Sequence, residues 1–88
     1  MISNNYIITS PEGIHARPAT TLIRLAKKYK STVSLKKDEK LVLLNSMLNI
    51  LTIGAKGGDT ITIIIEGEDE ADAAQAIHNF FEEELKNL

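Results

Sequence analysis

Thr60-Ile61-Thr62-Ile63-Ile64-Ile65-Glu66 is the clearest strand in the chain, and it decides the fold. Ile61, Ile63 and Ile65 alternate with Thr60, Thr62 and Ile64, the period-two pattern of a half-buried strand. It is bounded by the turn cluster Lys56-Gly57-Gly58-Asp59 and by Gly67. Outward from it, three more strands are expected. Tyr6-Ile7-Ile8-Thr9 is β-branched and apolar. Thr32-Val33-Ser34-Leu35-Lys36 alternates, and after the polar turn Lys37-Asp38-Glu39-Lys40 comes Leu41-Val42-Leu43-Leu44, which makes a hairpin. Between them the period lengthens. Ala19, Leu22, Ile23, Ala26 and Tyr29 follow helical spacing after Pro18, so a helix is predicted over 16–29. Ser46 precedes the short apolar run from Met47 to Leu51, and Gly54 follows, as a serine N-cap and a glycine stop would. Glu68 or Asp69 opens a last helix with Ala73, Ala74, Ile77, Phe80, Phe81 and Leu85 on its apolar stripe and acids in its first turn.

The order β-α-β-β-α-β-α fits an α+β fold, a four-stranded, largely antiparallel sheet covered on one face by three helices. The inward face is expected to hold Ile7 or Ile8, Val33, Leu35, Leu41 or Val42, Ile61, Ile63 and Ile65. At 88 residues the chain has room for one domain, spanning 1–88, and none for a second core or a large cleft.

Composition removes most chemistry. There is no cysteine, which excludes a disulfide framework, a Cys-bound zinc and a thiol nucleophile. The two histidines, His15 and His78, have no metal-ligand spacing, so neither a metal site nor a cofactor is expected; His78, beside the core position Ile77, carries no motif. Ten Lys and Arg against twelve Asp and Glu give a net charge of −2, which argues against a nucleic-acid binder. No basic segment followed by an apolar stretch opens the chain, and no apolar run approaches a membrane span. A cytoplasmic protein without membrane insertion is expected. The net charge hides a polarity: 13–40 sums to +6 and 66–84 to −8. Two solvated helix faces would produce this, and so would a basic surface that steers acidic partners.

The stretch that carries chemistry is Gly13-Ile14-His15-Ala16-Arg17-Pro18-Ala19-Thr20. It places a histidine immediately before a helix, where free N–H groups and the helix dipole favour an anion. Arg17 adds a forked, permanently charged donor, and Gly13 permits a sharp turn. A lone histidine before a helix is ordinarily a cap or a surface residue. In this setting it reads as a nucleophilic imidazole inside a phosphate-sized site.

This segment resembles the active-site signature of HPr, the histidine-containing phosphocarrier family of the bacterial phosphoenolpyruvate:sugar phosphotransferase system. Length, element order and a second motif, Asn45 to Gly54, agree over essentially the whole chain. The resemblance implies that His15 is phosphorylated on Nδ1, that Arg17 stabilises the phosphate, and that Ala16, Arg17 and Pro18 form the phosphate-binding turn. The donor would be enzyme I and the acceptors the A domains of sugar-specific enzyme II. The chain itself would be a carrier rather than an enzyme, and a monomer is the simplest form. Thr20, Arg24, Lys27, Met47, Leu48 and Leu51 would form the shared docking surface, although apolar residues at helical spacing are commonly core. Ser46 falls where an HPr kinase/phosphorylase modifies a serine that engages a catabolite control regulator, and it also reads as a plain N-cap. Asn45, Asn49 and Glu12 depart from residues common in the family. The alternatives are an HPr-like regulator acting through Ser46, a carrier of the nitrogen-related branch, or a passive anion-binding module.

Overall fold

A computed structural model describes residues 1–85. Its elements are β1 (Ile2–Ile7), α1 (Ala16–Lys27), β2 (Thr32–Lys37), β3 (Lys40–Leu43), α2 (Met47–Ile53), β4 (Thr60–Glu66) and α3 (Glu70–Asn79), the last continued by a π-helical turn, Phe80–Glu84. The strands form one sheet in the order β1-β4-β2-β3, and every pairing is antiparallel. The helices cover one face, as the alternation in β4 requires.

Register explains the core. Ile61 lies opposite Tyr6, Ile63 opposite Leu35 and Ile65 opposite Val33. All six are buried and share the inward face. Ala19, Leu22 and Ala26 of α1, Ile50 and Ile53 of α2, and Ala73, Ile77, Phe80, Phe81 and Leu85 close over them. Each fully buried isoleucine or leucine is worth about 1.5–3 kcal/mol against exposure. At the two positions left open by the sequence, Ile8 is inward while Ile7 is exposed, and Val42 packs on the core while Leu41 is exposed.

Several boundaries differ from expectation. β1 spans Ile2–Ile7 rather than 6–9. Ser3, Asn4 and Asn5 are poor strand formers, but the long β4 ladder recruits them, and Thr62 Oγ1 donates to Asn5 Oδ1 at 2.7 Å. Cross-strand pairing overrides local propensity here. α1 stops at Lys27 rather than 29, because the N–H groups of Lys28 and Tyr29 bond to Leu25 and Ala26, tightening the last turn to three-residue closure. β3 is Lys40–Leu43 rather than 41–44; Leu44 is buried and its N–H donates to the Val33 carbonyl.

The last helix begins at Glu70. Asp69 stands at the N-cap position, yet its carboxylate makes no cap. It accepts from the backbone N–H groups of Lys30 (2.8 Å) and Ser31 (2.9 Å) and from the Ser31 hydroxyl, so it fastens the α1–β2 connection to α3. The π-helical turn also has a cause. Phe80 and Phe81 are adjacent and both buried, packed edge-on at 5.1 Å. In the wider turn the Leu85 N–H bonds to the Phe80 carbonyl, five residues back, and this sets Leu85 over Phe80, both of them fully buried. Ala74, expected in the stripe, is half-buried.

Candidate functional site

His15 is the N-cap residue of α1, with an extended backbone (φ −101°, ψ −167°) and no side-chain cap hydrogen bond. The imidazole is therefore not spent on closing the helix. Its carbonyl takes that role, accepting from Ala19 N–H at 3.0 Å. The N–H groups of Ala16 and Arg17 have no acceptor within the helix, and Pro18 has no N–H to leave free. Two free donors, the helix dipole and the exposed Arg17 side chain therefore stand at one helix end beside His15.

The ring is half-buried, with 34% of the side chain accessible, rather than fully exposed. Its two nitrogens are not equivalent. Nε2 is shielded from solvent and has no hydrogen-bond partner of good geometry; its near neighbour is Glu12 Oε2 at 3.3 Å. Nε2 is thus closed to solvent although a third of the side chain is accessible.

The loop before α1 is braced from behind. Gly13 adopts φ +72°, and a Cβ there would sit 2.3 Å from the Ala55 carbonyl oxygen. Gly13 N–H donates to Ser10, and Ile14 N–H donates to Ala55, both at 3.0 Å. A Cβ on Gly57 would meet the Ser10 carbonyl at 2.7 Å. The turn read from sequence as Lys56-Gly57-Gly58-Asp59 is thus the back wall of the histidine loop. Asp59 fixes that wall by accepting from Lys56 N–H at 2.8 Å and pairing with Lys37 at 3.2 Å. The backbone donor, then the ammonium, holds the Asp59 carboxyl below the usual range. This loop pairing is not legible in the sequence, since its only mark is two glycines, Gly13 and Gly57, whose neighbours are distant in the chain.

The expected docking residues converge beside this loop. α1 packs on α2, and Thr20 Oγ1 donates to the Ala16 carbonyl (2.8 Å) and reaches Met47 Sδ (3.2 Å). Met47, Leu48 and Leu51 are exposed by 41, 69 and 39%, so only Ile50 and Ile53 of α2 serve the core. Thr20, Ile23, Arg24, Lys27, Asn45 and Met47 line a shallow depression of about 340 Å³ between the helices. Arg24 and Lys27 are exposed at its edge. Ser46 is the N-cap of α2, its hydroxyl accepting from Asn49 N–H at 3.4 Å, and Gly54 ends that helix in the left-handed conformation (φ +69°). His78 lies away from the site, 3.3 Å from the Tyr6 hydroxyl. Among the described residues no group of His, Asp and Glu could hold a metal ion, and no helix is long and apolar enough to cross a membrane.

Comparisons with known proteins agree with this geometry. The family model described as PTS HPr component, phosphorylation site, matches residues 2–83. HPr-C-His from Thermoanaerobacter tengcongensis superposes with a TM-score of 0.92 at 30% identity, covering 100% of this chain and 98% of that one. The histidine-containing phosphocarrier protein of Mycoplasma gives 0.90 at 34% identity, with 96% of each chain covered. The catabolite repression protein Crh of Bacillus subtilis, a swapped dimer, gives 0.75 at 30% identity over 96% of this chain and 97% of that one. With its histidine at the head of α1 and its helices on one face of a β1-β4-β2-β3 sheet, the chain belongs to the HPr family of phosphotransferase-system phosphocarriers.

Proposed function

We propose that the chain carries a phosphoryl group on Nδ1 of His15, received from enzyme I and passed to the A domains of sugar-specific enzyme II. The observation that carries this reading is the half-buried imidazole at the head of α1: Nε2 is enclosed, the side chain is not used as a cap, and the first-turn N–H groups are free at the same helix end. The Nδ1 lone pair attacks phosphorus, the donor–phosphorus bond breaks, and the Arg17 guanidinium and the N–H groups of Ala16 and Arg17 neutralise the phosphate. Pro18 shapes the turn and withdraws no donor from it. Transfer to the acceptor reverses these steps. Partner enzymes supply the catalysis; this chain is not itself an enzyme.

Docking is assigned to Thr20, Arg24, Lys27, Met47, Leu48 and Leu51. A small apolar patch with cations at its rim suits brief contacts that must release after each transfer. The protein works in the cytoplasm as a single unit spanning 1–88, and as a monomer, which sedimentation checks. A regulatory role for Ser46, read by an HPr kinase/phosphorylase and a catabolite control regulator, is the second reading. It is favoured by the half-buried hydroxyl standing beside the exposed Met47 and Leu48. A protein acting through Ser46 alone would have no use for the His15 and Arg17 arrangement.

The test is incubation with enzyme I and phosphoenolpyruvate. An acid-labile phosphate on His15 is expected, abolished by His15→Ala with the circular dichroism spectrum unchanged. No label on the unaltered chain refutes the carrier reading.

A further inference from the structure

We propose that the Glu12 carboxylate is a positioning residue that holds a proton on Nε2 of His15 and so directs the phosphoryl group on and off Nδ1. The proposal rests on the carrier reading above. Its starting point is an anomaly: Nε2 is enclosed, lacks a well-formed hydrogen bond, and has an anionic oxygen 3.3 Å away. A buried ring nitrogen left without a partner is costly. Glu12 is 75% exposed and precedes Gly13 in the turn, so a small rotation of its carboxylate brings Oε2 into line with an Nε2–H donor.

The chemistry needs that proton in both directions. The state of one imidazole nitrogen is set by the hydrogen bond made by the other. With hydrogen on Nε2, the Nδ1 lone pair is free to form the nitrogen–phosphorus bond as the donor–phosphorus bond breaks. In the phosphorylated ring, a proton kept on Nε2 lets the nitrogen–phosphorus electron pair return to Nδ1. The ring then departs as neutral imidazole rather than as an imidazolate, and no further proton is required. Arg17 and the first-turn N–H groups act on the phosphate, whereas Glu12 acts on the opposite nitrogen of the ring.

Two variants and two readouts test this. Nitrogen-15 NMR of the unphosphorylated protein reports the tautomer, and the spontaneous hydrolysis rate of the phosphorylated protein at one fixed alkaline pH reports the leaving group. In the unaltered protein Nε2 should give a pyrrole-type shift. Glu12→Ala should move that shift toward a tautomer mixture and slow hydrolysis about two- to fivefold, the range for an exposed ion pair. Glu12→Gln keeps an acceptor without charge, so it should retain the tautomer and hydrolyse at an intermediate rate. Nitrogen shifts unchanged in Glu12→Ala overturn the proposal, as does an unchanged hydrolysis rate. If the unaltered protein takes no label on His15, the carrier reading falls, while the nitrogen shifts still decide the Glu12 contact. If labelling proceeds and Glu12→Ala is silent, only the Glu12 role is lost.

Discussion

At the scale of single residues, the site depends on a backbone bend as much as on His15. Gly13 holds φ +72°, a region that costs other L-residues about 1–3 kcal/mol. A Cβ there also collides with the Ala55 carbonyl and with Lys56 Cα. Neither neighbour can yield without moving the loop that Asp59 anchors. Gly13→Ala should therefore lower the unfolding free energy in urea by at least about 1–3 kcal/mol and slow labelling of His15 by displacing it from the helix end. Equal stability would show that the two loops are not pressed together. The requirement for glycine at position 13 was legible, because a turn must separate the first strand from Pro18. Its collision partner was not, since Ala55 lies 42 positions away and nothing local marks the approach.

The same contrast holds for whole elements. α2 was legible down to its cap because capping is local chemistry: Ser46 and Asn49 are three residues apart. Its exposed face was equally visible, since seven residues carrying Met47, Leu48, Ile50, Leu51 and Ile53 exceed what one buried face can use. β1 was misplaced because Ser3, Asn4 and Asn5 become a strand only through β4. The π-helical turn is not legible, because Ala73, Ile77, Phe80 and Phe81 already fit a regular helical stripe and nothing local marks the closure of Leu85 onto Phe80. Capping chemistry also separates the two meanings of Ser46. Aspartate caps about as well as serine, whereas alanine loses about 1 kcal/mol. Ser46→Asp should therefore leave the melting transition nearly unchanged while slowing phosphorylation by enzyme I, because it sets a negative charge beside Met47 and Leu48. Ser46→Ala should lower stability and leave that rate near normal. The same rate in all three proteins would remove α2 from the enzyme I surface.

Across the whole molecule, the acidic and basic halves seen in the sequence are physically joined rather than merely opposite in sign. Lys30 pairs with Glu68 at 3.4 Å, and Asp69 takes the N–H groups of Lys30 and Ser31, so the acidic segment grips the basic one at the connection between α1 and β2. Arg17, Arg24 and Lys27 remain exposed along α1, whose N-cap is His15. The Ser31 hydroxyl, followed by the Lys30 N–H, holds the Asp69 carboxyl below the usual carboxylate range. The sign of the linkage follows from that direction. In the unfolded chain Asp69 loses these donors and takes up a proton at a higher pH than in the folded protein. Its stabilising contribution is therefore complete above the ordinary carboxylate range and is lost as pH falls through the lowered folded value. Asp59, held down by Lys56 N–H and the Lys37 ammonium, behaves alike at the loop behind His15. Asp69→Asn places an amide among donors that want an acceptor, so it should be less stable than the unaltered protein at neutral pH. The gap, measured by urea unfolding across a pH series, should narrow as pH drops below the carboxylate range, where the unaltered protein has itself lost the charge. A gap that stays constant down to strongly acidic pH would mean that Asp69 acts through shape alone and that the clamp between the two halves is not ionic.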